Sequence, residues 1–390
     1  MRLILYLLFI LMPMQMMAKS TLATTDIVDE QHLLKLLDEY IDRRELYTEQ
    51  KEEKIKQLKL KLRIADSNTS RLSILNTIYR EYYTYRYDSA MVYANRGLSL
   101  ALSYNNTYYA TLNRINRAAV LSTGGFYSQA ETLLNEIGEN NVPHQLKQYY
   151  YYTITWLYSY WEAFCNKSEF KDYYRQKKLQ FLRLTVNTTH SNYVGLYAYL
   201  SGELAYLENP LGKNVLRHYT IAINNSLVNS RVHASAAYCI ARYYREIGNM
   251  QLYEKYIVEA AISDMVCPLK ENLALQELST YLYKKDPKYA NRAARYIYCS
   301  MEDAQFYNNR LRMLEISNIQ PIIATANQEA LAHKERIVRG VLAVVSFLSL
   351  VLLGMALLGY KQTKWLARSR REVKSQNLKL TELNEKLIAT

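Results

Sequence analysis

The sequence predicts an all-α protein: an array of stacked helix pairs, one membrane-spanning helix and a short coiled-coil-like stalk. Three observations predict it. Gly (11) and Pro (6) are scarce in 390 residues, which argues against an all-β or loop-rich fold. Apolar residues recur at helical spacing in units of roughly 35–40 residues, the length of a two-helix repeat. Residues 340–360, from Gly340 to Tyr360, form an apolar run without a charge or a proline.

About 20 residues at ~1.5 Å rise give ~30 Å, the thickness of a bilayer core. Only a helix or a closed barrel satisfies its backbone in lipid, so residues 340–360 are expected to form a transmembrane helix. The alternative, a buried core helix, would carry a polar face. Tyr360 and Trp365 fall where an interfacial aromatic belt would lie. Lys361, Lys364, Arg368, Arg370, Arg371 and Lys374 follow the run, against Lys334, Arg336 and Arg339 before it. The positive-inside rule therefore places the C-terminus in the cytoplasm. The start of the chain agrees. Met1-Arg2, an apolar stretch over 3–12 and small residues near Ala18 and Ala23 read as a secretory signal peptide over 1–23. Thr21-Leu22-Ala23 fits the cleavage rule, whereas cleavage after Ala18 would place bulky Met16 at −3. An uncleaved anchor is the alternative, and the absence of Cys here excludes a lipoprotein anchor. The expected location is the inner membrane, single-pass, with the N-terminal region periplasmic.

Hydrophobic residues make up 49 % of the chain, enough for a sizeable core. The net charge of +13 would suit nucleic acid, but an exported region never meets DNA. The tail's Lys and Arg answer to the positive-inside rule, and the rest read as solvated helix faces. Four Cys stand at 165, 239, 267 and 299. Cys239 and Cys299 lie inside apolar helical runs, so buried free thiols are expected rather than disulfides.

Residues 26–62 read as one long amphipathic helix, with Leu33, Leu37, Tyr40 and Ile41, then Ile55, Leu58 and Leu62, at helical spacing. Between them 45–56 is charged nearly all round. Repeats follow over 67–303. The clearest is 237–261, where Ile240, Ala241 and Tyr244 lie in the first helix, Ile247-Gly248-Asn249 forms the turn, and Ala260 is the small residue of the second helix. These residues resemble the tetratricopeptide repeat, so the fold class is a tetratricopeptide-like helical solenoid. Gly248 suits a helix end where φ > 0 is wanted, and Ala241 and Ala260 permit close helix approach. Copies with less of the signature occupy 72–101, 112–137, 146–184, 193–227 and 269–301. In the last, Asp286-Pro287 reads as a cap followed by Pro at the first helical turn.

Residues 304–339 are expected to be a premembrane helix kinked at Pro321. After the span, Leu366, Val373, Leu380 and Leu387 fall seven apart, with Leu383 at a d place and Ser369 and Gln376 at the others. This predicts a homodimeric parallel stalk over 361–390, with a single solvated helix as the alternative.

Catalytic signatures are absent. There is no phosphate-binding or dinucleotide glycine loop, no nucleophile elbow, no C-x-x-C and no H-E-x-x-H, and the six His are scattered. No enzyme activity, cofactor or metal is expected. The aromatic run at 149–152 with Trp156, Tyr160 and Trp161 has two readings. Wedge residues between repeat helices are the favoured one; stacking on a glycan is the other.

The opening helix (33–59), the segment with Asn309-Arg310-Leu311-Arg312 and Gln320-Pro321-Ile322-Ile323, and the stalk start at 378–387 together resemble a family of Bacteroidetes-type inner-membrane tetratricopeptide-repeat regulators. That family is similar in layout to the regulators of starch and polysaccharide utilisation. The resemblance implies a periplasmic sensing array for a protein or glycan ligand, one span in the lipid bilayer, and a cytoplasmic output that can end in a DNA-binding helix-turn-helix. Thr390 falls in mid-helix without a cap, so the chain is expected to be truncated, and nucleic acid is a partner only through a missing C-terminal domain. The rival reading is a membrane-anchored scaffold for periplasmic proteins.

Overall fold

The computed structural model describes residues 30–166, 168–270 and 273–388, and of residues 326, 330 and 386–388 the backbone alone. The expected signal peptide over 1–23 lies outside the described residues. Regular structure among the described residues is helical throughout. The chain divides into two units, Met1–Ala324 and Thr325–Thr390.

The first unit opens with α1 (Glu30–Asp42) and α2 (Arg44–Arg63). One helix was expected over 26–62; the chain instead breaks at Arg43, which has φ −96° and ψ 5°. The reason lies in where the two apolar stripes go. Leu33, Leu34, Leu37 and Ile41 of α1 join the core of the C-terminal repeats. Ile55 of α2, flanked by Leu58 and Leu62, packs instead with Leu75, Ile78 and Tyr79 of the first repeat. One straight helix would have to serve both cores.

Six helix pairs follow. They are α3 (Asn68–Tyr82) with α4 (Tyr87–Ser103), α5 (Thr107–Thr123) with α6 (Tyr127–Ile137), and α7 (Lys147–Phe164) with α8 (Lys171–Thr188). Then come α9 (Val194–Glu208) with α10 (Lys213–Asn224), α11 (Arg231–Glu246) with α12 (Met250–Val266), and α13 (Ala274–Lys285) with α14 (Ala290–Tyr307). Each helix packs on its neighbours in the chain, as in a stack of helix pairs. Local chemistry sets the boundaries. Ser67, Asn106, Ser230 and Asn249 each accept a hydrogen bond from the backbone N–H three residues on, capping α3, α5, α11 and α12. Asp286 accepts from the N–H of Lys288 at 2.9 Å and opens the short 3-10 turn Pro287–Tyr289. Gly248, between α11 and α12, has φ +75°. Gly195 and Gly202 let α9 close on α10: a Cβ on Gly195 would lie 2.6 Å from the carbonyl oxygen of Asn225, and one on Gly202 2.6 Å from the ring of Tyr219.

α14 ends at Asn308, which is left-handed at φ 69°. Tyr307 just before it donates to the carbonyl of Tyr83 at 2.7 Å and shares a 2.6 Å hydrogen bond with the hydroxyl of Thr123. The final helix, α15 (Arg310–Ile388), therefore starts six residues later than the 304 expected of the premembrane helix. Asn309 caps it by accepting from the N–H of Arg312 at 3.1 Å. Pro321 lies inside α15, and the helix is not interrupted there. In the first unit α15 buries Leu311, Ile316 and Ile323.

In the second unit, α15 carries exposed apolar side chains along 341–358. It is the one helix among the described residues that is long and apolar enough to cross a membrane.

Candidate ligand cavity

A cavity of about 450 Å³ opens within the first unit, walled by α7, α8, α9, α11, α13 and the first turns of α15. Its walls are aromatic and charged together. Trp156 of α7 stacks on Tyr199 of α9 with ring centroids 6.3 Å apart and planes 7° off parallel. Tyr160 lies one turn further along α7, and Tyr238 faces in from α11.

Beside the aromatics sits a buried ion pair. Glu203 of α9 accepts from Arg242 Nη2 at 3.1 Å, from the hydroxyl of Tyr219 at 2.6 Å and from Cys239 Sγ at 3.1 Å. Burial alone would raise the pKa of Glu203. The positive charges of Arg242 and Lys178 and the hydrogen bonds from Tyr219 and Cys239 outweigh it and hold the carboxyl down at about 2. Arg242 also lies 3.7 Å above the ring of Tyr206. The Cys239 thiol is pushed up, by burial first and then by the Glu203 charge, so it stays protonated.

Two further carboxylates are engaged. Glu277 of α13 accepts from the hydroxyl of Tyr238 and from Arg245. Glu162 pairs with Lys178 at 3.4 Å. From α15, Arg312 projects into the wall and bonds Glu315 at 2.5 Å. Three N–H donors of the lining are buried without an acceptor: Nε1 of Trp156, Nε of Arg242 and Nε of Arg312. Among the described residues no group of three or more His, Cys, Asp or Glu is arranged to hold a metal ion.

The aromatic candidates separate. Trp156 and Tyr160 line the cavity. Trp161 does not; it stacks on Tyr174 at 4.3 Å and on Tyr127 at 5.7 Å, inside the core of α5–α8. The repeat residues Ile240, Ala241 and Ala260 are buried, and Tyr244 stacks on Tyr256. All four cysteines are free thiols. Leu366, Val373, Leu380 and Leu383 are exposed, and the side chain of Leu387 lies outside the described residues. Sequence reasoning did not single out Glu203, Arg242 or Lys178, and met Arg312 only as part of the 309–312 segment that carries the resemblance. The one available signal was a charge interrupting an apolar run, as in Ser201-Gly202-Glu203-Leu204 and Ile240-Ala241-Arg242-Tyr243.

Stacked helix pairs with small residues at the crossings, enclosing a lined cavity, define a helical-repeat binding protein of the tetratricopeptide class. The sequence profile of the SusR N-terminal TPR domain matches residues 41–318. The chain belongs to that family, a family of polysaccharide-utilisation regulators, and the matched region is a regulator's domain rather than a catalytic one. No curated protein sequence matches the chain.

Proposed function

We propose that this chain is the sensing part of a single-span inner-membrane regulator. The periplasmic repeats bind a saccharide in the α7–α15 cavity, and occupancy is passed along α15 through the span to a cytoplasmic output. One observation carries the reading: α15 supplies cavity wall, through Arg312 and Glu315, and is also the helix with the apolar stretch over 340–360. Ligand and span thus act on the same element, the physical requirement for a two-state signal. Membership of a family of polysaccharide-utilisation regulators supports a saccharide as the ligand. On this reading the stalk residues Leu366, Val373, Leu380, Leu383 and Leu387 pair two copies, and output follows from their repacking.

The test uses the full chain in lipid nanodiscs. Oligosaccharides are titrated while tryptophan fluorescence and tryptic cleavage after Lys334, Arg336 and Arg339 are followed. A sensor binds at least one saccharide and changes its cleavage rate on binding. No response to a broad panel of neutral and acidic oligosaccharides refutes the proposal.

A scaffold function is favoured by a different observation. Phe164, Phe170 and Tyr173 are all about half exposed where α7 meets α8, as a protein-docking patch would be. Charged substitutions there would abolish scaffolding and leave saccharide binding intact.

A further inference from the structure

The hydrogen-bonding balance of the cavity is one-sided. Trp156 Nε1, Arg242 Nε and Arg312 Nε lack acceptors, while no described side-chain oxygen of the lining is buried without a donor. The carboxylates of Glu162, Glu203, Glu277 and Glu315 are each engaged by a cation or a hydroxyl. Lys171, at the start of α8, has no carboxylate partner among the described residues. What the walls lack is acceptors. A neutral sugar brings hydroxyls that are donors as well as acceptors, whereas a carboxylate brings acceptors alone and matches a guanidinium fork in plane.

The ion pairs differ in what they join. Glu162–Lys178 ties α7 to α8, and Glu203–Arg242 ties α9 to α11. Arg312 is 7 % exposed, and its carboxylate partner Glu315 stands three residues on in the same helix. Among the described residues, no salt bridge links α15 to the repeats across the cavity; apolar packing at Leu311, Ile316 and Ile323 and the Arg310 guanidinium 4.0 Å over the Phe126 ring hold it.

Resting on the saccharide-sensor reading above, we propose that the cavity takes an acidic saccharide, one carrying a uronic-acid residue, with its carboxylate on Arg312 and a ring face against Trp156. The bound sugar then adds a polar tie between α15 and the repeats. Arg312 reads the acid; Trp156, backed by Tyr199, supplies the apolar platform.

The experiment titrates the full chain in nanodiscs with trigalacturonate, its neutral methyl ester and maltotriose, reading tryptophan fluorescence and, independently, calorimetric heats. Trigalacturonate binds the wild type, and the ester binds at least about tenfold more weakly, as expected when a charge-assisted pair is lost. Arg312→Gln lowers affinity for the acid by about tenfold or more and for the ester by much less, while Arg312→Lys, which keeps the charge, falls between. Thermal melts of both variants show that the fold persists; if the glutamine variant fails to fold, the lysine variant and the acid-to-ester ratio of the wild type decide. Equal affinity for acid and ester, or an Arg312→Gln chain that binds the acid as the wild type does, overturns the acidic assignment and leaves saccharide sensing standing. Absence of binding by all three probes overturns the acidic assignment, and silence across the wider neutral panel sinks the sensor reading with it.

Discussion

Replacing Glu203 by Gln removes the carboxylate that balances Arg242 in the cavity wall. Glu203 is 5 % exposed, so solvent offers little compensation. The fall of its pKa from the ordinary 4.5 to about 2 corresponds to about 3 kcal/mol of stabilisation of the charged form in the folded state. This agrees with the ~3–5 kcal/mol lost when one partner of a buried ion pair is removed. The sign follows from the direction. Because the folded-state pKa is depressed, the stabilisation is fully present above pH 4.5 and is lost as pH falls through about 2. At pH 3 only about 1 kcal/mol of it remains. Urea unfolding of the full chain, followed by circular dichroism at pH 7 and pH 3, gives both numbers. Glu203→Gln should be less stable by about 3 kcal/mol at pH 7, and the gap should shrink by more than half at pH 3. The paired change Glu203→Leu with Arg242→Met should recover most of the loss, since neither charge is then left alone. A Glu203→Gln chain as stable as the wild type, or a gap independent of pH, would refute the reasoning.

Three other perturbations follow from packing. Leu37→Ala hollows the seam between α1 and the C-terminal core, where Leu37 is fully buried, and should cost about 2–5 kcal/mol in the same urea assay; a loss below about 1 kcal/mol would mean that α1 is only loosely docked. Gly195→Ala drives a Cβ onto the carbonyl oxygen of Asn225, backbone that cannot swing away, and should destabilise by about 1–3 kcal/mol; Gly248→Ala meets no atom within 4 Å and carries only the strain of φ +75°, about 1–2 kcal/mol, so equal melting temperatures with the wild type would contradict both. In the stalk, Ser369→Cys should give a disulfide-linked dimer in oxidised membranes and Leu380→Lys should suppress it; no crosslink in either chain would remove the dimeric stalk.

How much of this was legible in the sequence differs from one element to the next. Helix-pair boundaries were legible because their signals are local. The turn Gly248-Asn249 and the cap Asp286 act within three residues of themselves; the caps Ser67 and Asn106 are of the same local kind but emerge from the structure. The break at Arg43 was not, because no Gly or Pro marks it and only the destination of each apolar stripe changes. The same holds for the end of α14, where Tyr307 is fixed by Tyr83 and Thr123, both far away in the chain. The cavity was half legible. Trp156 and Tyr160 stood out as aromatics, but Trp161 belongs to the same run and lies in the core, and spacing alone does not separate them. The charged half comes from seven helices that each contribute one or two side chains, so no segment of the sequence carries it.

The docking of α1 bears on how the repeats cooperate. In a simple helical array each repeat touches only its neighbours, and stability spreads along the chain one interface at a time. Here every residue of 257–265 in α12 is buried, including Glu259, which pairs with His233, and α1 helps to cover that helix. Asp38 of α1 bonds Arg292 at 2.8 Å and accepts from the hydroxyl of Tyr296, while Glu30 pairs with Lys285 at 2.8 Å. Arg44, just past the break, reaches Glu302. A segment more than 200 residues upstream thus locks the last two helix pairs, the same pairs that feed directly into α15. The helix pair that leads into α15 is therefore clamped by α1 and the start of α2 as well as by its neighbour in the stack.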